Sequence, residues 1–220
     1  MNILRKPFRW SYRNVTLYLI GINIAVFILQ TLAGRVMFQL EGGRISFVQL
    51  LALNPILIMK YGMYWQFATY MFAHGGVSHI LFNMLALFIF GRQLEQHIGS
   101  REFLLYYLLT GAAAGVLSFA FYIISGAYYV SLLGASGALF AVQLAYAAFF
   151  PNNLIYIWGI LPLRAPIMVL VFTAIELFSG VFGFSSSVAH FTHLFGFAAG
   201  FVYFLIRWRA NPFKMMFHSS

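Results

Sequence analysis

Six long apolar stretches constrain this chain more than any other feature of its sequence. They lie near residues 15–33, 79–99, 103–125, 132–150, 166–184 and 188–207. A helix of roughly 20 residues crosses the hydrocarbon core of a bilayer, which is about 30 Å thick. Because 62% of the 220 residues are apolar and only 8% are charged, the chain cannot present an ordinary water-facing surface. The sequence therefore predicts an all-α polytopic membrane protein with six transmembrane helices, organised as a single domain over residues 1–220.

The basic residues predict the orientation of these helices. Three of the thirteen Lys and Arg residues, Arg35, Arg44 and Lys60, fall on one side of the membrane when six crossings are counted. The other ten fall on the opposite side: Arg5, Lys6, Arg9, Arg13, Arg92, Arg101, Arg164, Arg207, Arg209 and Lys214. By the positive-inside rule, this majority and both termini are cytoplasmic. We expect an integral multi-pass protein of a prokaryotic cell (inner) membrane, with membrane lipids but no nucleic acid among its partners. The oligomeric state is left open.

The start of the chain allows two interpretations. A basic segment followed by an apolar stretch is typical of a signal peptide, but 15–33 contains no clear small-residue cleavage site before Arg35. We therefore expect this stretch to be retained as the first helix.

The longest segment outside the stretches, 34–78, mixes aromatic residues with polar ones such as Gln39, Glu41 and Lys60. It is too polar to cross a membrane and too apolar to be a free linker. We expect a structured outer loop with short amphipathic helices, and with Trp65 and nearby tyrosines at headgroup depth. A passive connector is the alternative.

The acidic and sulfur-containing residues limit the chemistry. The chain has no cysteine and no aspartate, and its four acids are Glu41, Glu95, Glu102 and Glu176. Cysteine nucleophiles, thiolate zinc sites and triads completed by aspartate are thereby excluded. Glu176 lies well inside a stretch, where it could face a site, pair with a donor or stay protonated. The sequence does not choose among these, and we assign Glu176 no catalytic role.

The first cluster of polar residues lies at the outer start of the second stretch. His79 and Asn83 are four residues apart and share a helix face, while His74 precedes them on the Gly75-Gly76 turn. A zinc site would need a third ligand, and the HExxH pattern is absent, so we expect no metal here and no cofactor. The alternative to a functional role is a hydrogen-bonded knot that ties helices together.

The second cluster, residues 134–137, lies at the outer start of the fourth stretch. Ser136 stands between small residues, with Gly134 before it and Gly137 after it. A helix N-terminus offers free backbone N–H groups and the positive end of the dipole, which favour a nucleophile that must generate an oxyanion nearby. Close helix packing explains the small residues equally well.

The third cluster is a stripe on the sixth stretch formed by His193, Gly196 and Gly200. The two glycines allow a neighbouring backbone to approach closely, which packing alone explains, but packing does not explain the histidine. If the neighbour is the small-residue face of the fourth helix, the stripe brings His193 Nε2 toward Ser136 Oγ. A hydrogen-bonded imidazole is the usual activator of a serine hydroxyl. Without aspartate, the residues predict a Ser–His dyad.

Together these clusters resemble the rhomboid intramembrane serine proteases. The family motifs H-x-x-x-x-H-x-x-x-N and G-x-S-G match at 74–83 and 134–137, and A-H-x-x-G-x-x-x-G follows in order, matching through His193, Gly196 and Gly200. The resemblance implies a six-helix rhomboid-like bundle in its short form, with Ser136 as nucleophile and His193 as general base and later acid. It also implies that His74, Asn83 and the Ser136 backbone N–H are oxyanion donors, and that His79 and Gly134 support the site.

The implied function is an intramembrane serine endopeptidase. It would cleave transmembrane protein substrates in or near their membrane-spanning segments, through an acyl-enzyme. One alternative is a non-proteolytic rhomboid-like chaperone or adaptor, although such relatives are expected to lack the serine or the histidine. A second alternative is a small transporter or channel that lines its path with the same polar groups.

Two positions depart from the family pattern. Thr192 replaces the alanine before the catalytic histidine; Ala189-His190 fits the start of that motif but lacks glycine at the next required place, so we choose His193. Trp65-Gln66 replaces the family's Trp-Arg, which removes a fixed charge from the outer loop.

Four other residues have expected positions or roles. Phe140 is expected either on the His193 ring or in the core. We expect structural roles for three other residues that resemble family positions: Gly91, Glu95 and Gly99.

Overall fold

The computed structural model describes residues 7–34, 36–40, 43–157, 159–182 and 187–217, and the side chains of all of these except 187–189. Arg5, Lys6 and Arg35, on which the predicted orientation partly depends, lie outside the described residues. So do Glu41 of the outer loop and residues 183–184 at the end of the fifth predicted stretch.

The described chain is mostly helical. Its α-helices are α1 (Val15–Leu32), α2 (Phe47–Leu51), α3 (Pro55–Tyr61), α4 (Gln66–Thr69), α5 (Val77–Ala86), α6 (Arg92–Ile98), α7 (Ser100–Ile124), α8 (Ser136–Phe149), α9 (Ala165–Phe182), α10 (Ser187–Tyr203) and α11 (Pro212–Phe217). A π-helical turn at Leu87–Gly91 joins α5 to α6, and another at Phe204–Trp208 continues α10. Two antiparallel hairpins pair β1 (Met37–Leu40) with β2 (Gly43–Ser46) and β3 (Leu154–Ile157) with β4 (Leu161–Arg164).

Five helical segments are long and apolar enough to cross a membrane. They are Val15–Leu32, Val77–Ile98, Ser100–Ile124, Ala165–Phe182 and His190–Trp208, and each lies close to a stretch predicted from the sequence. The prediction of a polytopic helical membrane protein is confirmed. The hairpins were not predicted, because hydropathy does not report the local hydrogen bonds that satisfy the backbone of a short connection.

The fourth helix, α8, differs most from its predicted span of 132–150. It has 14 residues, so it is about 21 Å long and shorter than the hydrocarbon core of a bilayer. Nearly all of its residues are buried by the surrounding helices. At least one end of α8 therefore lies within the membrane thickness. At the end that begins with Ser136, a bridge between Leu53 and Leu132 ties the preceding segment to the outer loop.

The outer loop is structured, as expected. Ser46 and Gln49 form a capping box at the start of α2, and Asn54 caps α3. Gln66, at the position of the family's arginine, is fully buried, accepts from Asn54 N at 3.0 Å and donates to Gln49 O at 2.9 Å. A neutral amide therefore holds the loop through backbone groups. Trp65 is half-exposed and donates to a loop carbonyl.

Two buried glutamates organise the opposite end of the bundle. Glu95 accepts from the backbone N–H groups of Val15 and Thr16, at 2.7 and 2.9 Å, and so caps α1 from a distant helix. Glu102 pairs with Arg207, with 2.7 Å between Oε1 and the guanidinium Nε. These contacts agree with the expected structural role of Glu95.

Candidate active site

Ser136 and His193 meet where α8 and α10 cross. Ser136 is the first residue of α8, and its Oγ lies 2.7 Å from His193 Nε2. Both side chains are only partly exposed. His193 is thus the histidine that contacts the serine, whereas His190, the alternative in the sequence, contacts Glu176.

Two glycines allow α10 to approach α8 this closely. A Cβ placed on Gly196 would lie 1.9 Å from the carbonyl oxygen of Gly137, and one on Gly200 would lie 3.0 Å from the Cβ of Ala141. The small-residue stripe of α10 therefore packs on the small-residue face of α8, which is the neighbour on which the approach of His193 to Ser136 depends. This contact sets the distance between His193 and Ser136.

The surroundings of His193 fix its ring. Phe140, one turn after Ser136, stacks on it with ring centroids 4.6 Å apart and planes 5° from parallel. Phe140 was expected either on the His193 ring or in the core, and it lies on the His193 ring. Thr192, which replaces the family's alanine, is buried with its hydroxyl 2.8 Å from Ser118 Oγ. The extra polar group therefore has a partner inside the bundle.

Gly134 leaves room beside the serine. Its φ of +119° lies in a region that favours glycine, and its N–H donates to the carbonyl of Tyr70 at 2.9 Å. A Cβ at this position would lie 2.7 Å from His79 Nε2 and 3.8 Å from Ser136 Oγ. Any larger residue would collide with His79 at the edge of the site.

The histidine–asparagine cluster consists of His74, His79 and Asn83. Its His79 lies beside Gly134, two residues before Ser136 in the chain. The rings of His74 and His79 are 5.2 Å apart and steeply inclined, and Gly75 N donates to His79 Nδ1 at 3.3 Å. Asn83 Nδ2 donates to the carbonyl of His79 at 2.8 Å. An amide has two N–H groups, so this bond leaves Asn83 a second one for another acceptor.

His74 is buried, and both of its ring nitrogens lack a hydrogen-bond partner in the described part of the chain. Burial, reinforced by the neighbouring His79, lowers the pKa of His74 from its usual 6.5 to about 4. The ring is therefore neutral near neutral pH and carries one N–H and one bare nitrogen. A buried, unpaired N–H is the kind of donor that an oxyanion accepts from.

Gln30 of α1, which the sequence analysis did not single out, holds His74 by its backbone. Its side-chain oxygen accepts from His74 N at 3.2 Å, and its Nε2 donates to the carbonyl of His74. The sequence contained a signal for this contact, because the amide of Gln30 lies inside an apolar stretch and needs a hydrogen-bond partner there.

Glu176 of α9 joins the site from the side opposite Ser136. Its Oε2 lies 2.5 Å from His190 Nδ1 and 3.0 Å from His193 Nδ1. The sequence assigned Glu176 no catalytic role and left its partner open; in the structure its carboxylate lies at His193. These three side chains also bring potential metal ligands within 4.8 Å of one another, a set that the sequence analysis did not consider.

Comparison with known proteins agrees with the motifs. Residues 61–210 match the family model described as Rhomboid domain. RHOMBOID-like protein 1 of Arabidopsis thaliana is 31% identical over 212 residues, which cover 88% of this chain and 51% of that protein. Rhomboid protease AarA of Providencia stuartii is 29% identical over 141 residues, covering 60% of this chain and 49% of that protein.

Rhomboid protease GluP of Bacillus subtilis (strain 168) is 39% identical over a shorter region of 83 residues, covering 38% of this chain and 15% of that protein. The chain therefore spans about half or less of the length of these relatives. The family match covers more than half of the chain and includes Ser136, His193 and the histidine–asparagine cluster. The chain, an integral multi-pass membrane protein, belongs to the rhomboid family.

Proposed function

We propose that this protein is an intramembrane serine endopeptidase that cleaves transmembrane protein substrates in or near their membrane-spanning segments. The observation that carries the proposal is the 2.7 Å contact between Ser136 Oγ and His193 Nε2. Such a contact is what a general base needs in order to activate a hydroxyl.

The first chemical step uses both residues. His193 Nε2 takes the proton of Ser136 as Oγ attacks the carbonyl carbon of the scissile peptide bond, and the electrons of the C=O bond move to oxygen. When the tetrahedral intermediate collapses, the C–N bond breaks and Nε2 gives its proton to the leaving amine. Water then hydrolyses the acyl-enzyme by the same sequence of proton transfers.

The negative oxygen of the intermediate needs donors in place. The N–H of Ser136 has no acceptor within its own helix, because it belongs to the first turn of α8. The second N–H of Asn83 and the neutral ring of His74 are the other donors in this proposal. In a site with few waters each donor stabilises the oxyanion more than it would in bulk solvent.

The position of the site supports a substrate from the membrane. Ser136 begins a helix too short to cross the hydrocarbon core, and apolar helices surround it. A transmembrane segment that unwinds locally offers an extended peptide bond inside the membrane, whereas a folded soluble protein does not. We also place both termini in the cytoplasm by the positive-inside rule; the assignment to a prokaryotic membrane stays a prediction, since the relatives include plant proteins.

The test uses purified protein in lipid nanodiscs with a transmembrane substrate and a fluorophosphonate probe. Ser136→Ala and His193→Ala should each abolish cleavage, and Ser136→Ala should abolish labelling, with unchanged thermal unfolding. Ser125→Ala is the control, because that serine is exposed and its hydroxyl donates to carbonyls of the preceding helix, Phe121 O and Tyr122 O. Native protein that neither cleaves the substrate nor reacts with the probe would favour the chaperone or transporter alternatives, and labelling or cleavage that survives in Ser136→Ala would exclude Ser136 as the nucleophile.

A further inference from the structure

The carboxylate of Glu176 lies between two histidines of α10. Its Oε2 is 2.5 Å from His190 Nδ1 and 3.0 Å from His193 Nδ1, the ring nitrogen that faces away from Ser136. We propose that Glu176 is the positioning residue of the catalytic base, so that Ser136, His193 and Glu176 form a triad whose carboxylate His190 holds in place. This inference rests on the proposed function and names a third residue of the same site.

The environment of His193 Nδ1 supports this role. The nitrogen is buried, and no acceptor in the described part of the chain lies along the line of its N–H bond. Glu176 Oε2 is 3.0 Å from the nitrogen and is the carboxylate oxygen nearest to a hydrogen bond with it. Catalytic hydrogen bonds are often misaligned before substrate binds and tighten in the complex.

The proposal assigns the proton of each histidine to one nitrogen. With Glu176 ionised, its carboxylate only accepts, so Nδ1 of each histidine is the donor. With its proton on Nδ1, His193 presents a bare Nε2 to the hydroxyl of Ser136, which is the tautomer that a general base needs. Apart from the Glu176 carboxylate, the described residues offer His193 Nδ1 no acceptor that would favour this tautomer.

The carboxylate has a second effect during the reaction. When Nε2 takes the proton of Ser136, the ring becomes an imidazolium with a proton on each nitrogen. The negative charge of Glu176 stabilises this cation and does not itself take up a proton. His190 contacts the same oxygen at 2.5 Å, and this second contact holds the carboxylate at His193.

The decisive variant is Glu176→Gln, which preserves size and removes the charge. We expect kcat for a transmembrane substrate to fall on the order of 10²- to 10⁴-fold, with KM changed less than about threefold. His190→Ala removes only the second contact of the carboxylate and should lower kcat about tenfold. Thr173→Val is the control on α9, because that hydroxyl bonds within its own helix, and it should leave the kinetics unchanged.

A spectroscopic measurement separates positioning from helix packing. In protein labelled with ¹⁵N-histidine, the His193 signals should report a proton on Nδ1 in the native protein and loss of that preference in Glu176→Gln. This readout does not need activity, so it tests the inference even if Ser136 proves not to be a nucleophile. An unchanged tautomer in Glu176→Gln would overturn the inference.

Two kinetic outcomes would also overturn it. One is a Glu176→Gln enzyme with native kcat. The other is a Glu176→Gln enzyme whose loss of activity is fully explained by a lower unfolding temperature, with native turnover per folded molecule. The cluster could instead hold a metal ion. Activity lost in EDTA and restored by zinc would assign the three side chains to a metal site, whereas activity that survives the chelator supports the carboxylate.

Discussion

At the scale of single residues, Asn83 is the side chain whose role is most open to measurement. Its amide donates one hydrogen to the His79 carbonyl, and its second N–H is the one that we propose for the oxyanion. We predict that Asn83→Ala lowers kcat on the order of 10²- to 10³-fold with little change in KM, because the lost contact forms only as negative charge develops. Steady-state cleavage of a transmembrane substrate provides the measurement.

The control for this substitution is Asn23→Ala on α1. Asn23 is buried and donates to the carbonyl four residues earlier at 2.8 Å, which is the same local bond that Asn83 makes. It should change thermal stability by a similar amount without changing kcat. If Asn83→Ala lowers stability and leaves kcat intact, the cluster is a knot that ties helices together.

At the scale of helices, the crossing of α8 and α10 decides whether the site exists. We predict that Gly196→Ala costs about 1–3 kcal/mol of stability or more, since its methyl group would overlap the Gly137 carbonyl. Pushing α10 outward also lengthens the distance from His193 to Ser136. A misplacement of about 1 Å can lower kcat about 10²-fold, which turnover per folded molecule would reveal.

The matched substitution is Gly21→Ala on α1, where a Cβ would meet nothing within 4 Å. Alanine is favoured over glycine inside a helix by roughly 0.5–1 kcal/mol, so this variant should be as stable as the native protein or more so, with native kcat. Equal behaviour of the two variants would show that close packing of α10 on α8 is not what holds the site.

At the scale of the whole molecule, Glu102 connects the two terminal segments of the described chain, because it contacts Phe8 near one end and Arg207 near the other. Glu102 also accepts from Phe8 N at 3.1 Å and from Tyr203 Oη at 2.7 Å, and it is almost fully buried. We predict that Arg207→Met costs about 3–5 kcal/mol, because it leaves a buried carboxylate without its cation. Thermal unfolding in nanodiscs provides the measurement.

Two further variants serve as controls for Arg207→Met. The double variant Glu102→Gln with Arg207→Met should recover much of the lost stability, since it leaves no buried charge. Arg164→Ala, at an exposed position, should have little effect. Turnover per folded molecule should stay native in all three, because Arg207 lies about 20 Å from His193 along α10 and the π-helical turn that continues it. A double variant as unstable as Arg207→Met would contradict the charge argument.

The sequence by itself determined the membrane class, the approximate ends of the long helices and the motifs around Ser136 and His193. These follow from local properties: hydropathy over about 20 residues, and small residues at helical spacing. Only the tertiary structure decided that α8 is short, that Gln30 holds His74, and that Glu176 lies at His193. Each depends on which helices become neighbours in space, and an isolated polar residue in a span does not reveal its partner on another helix.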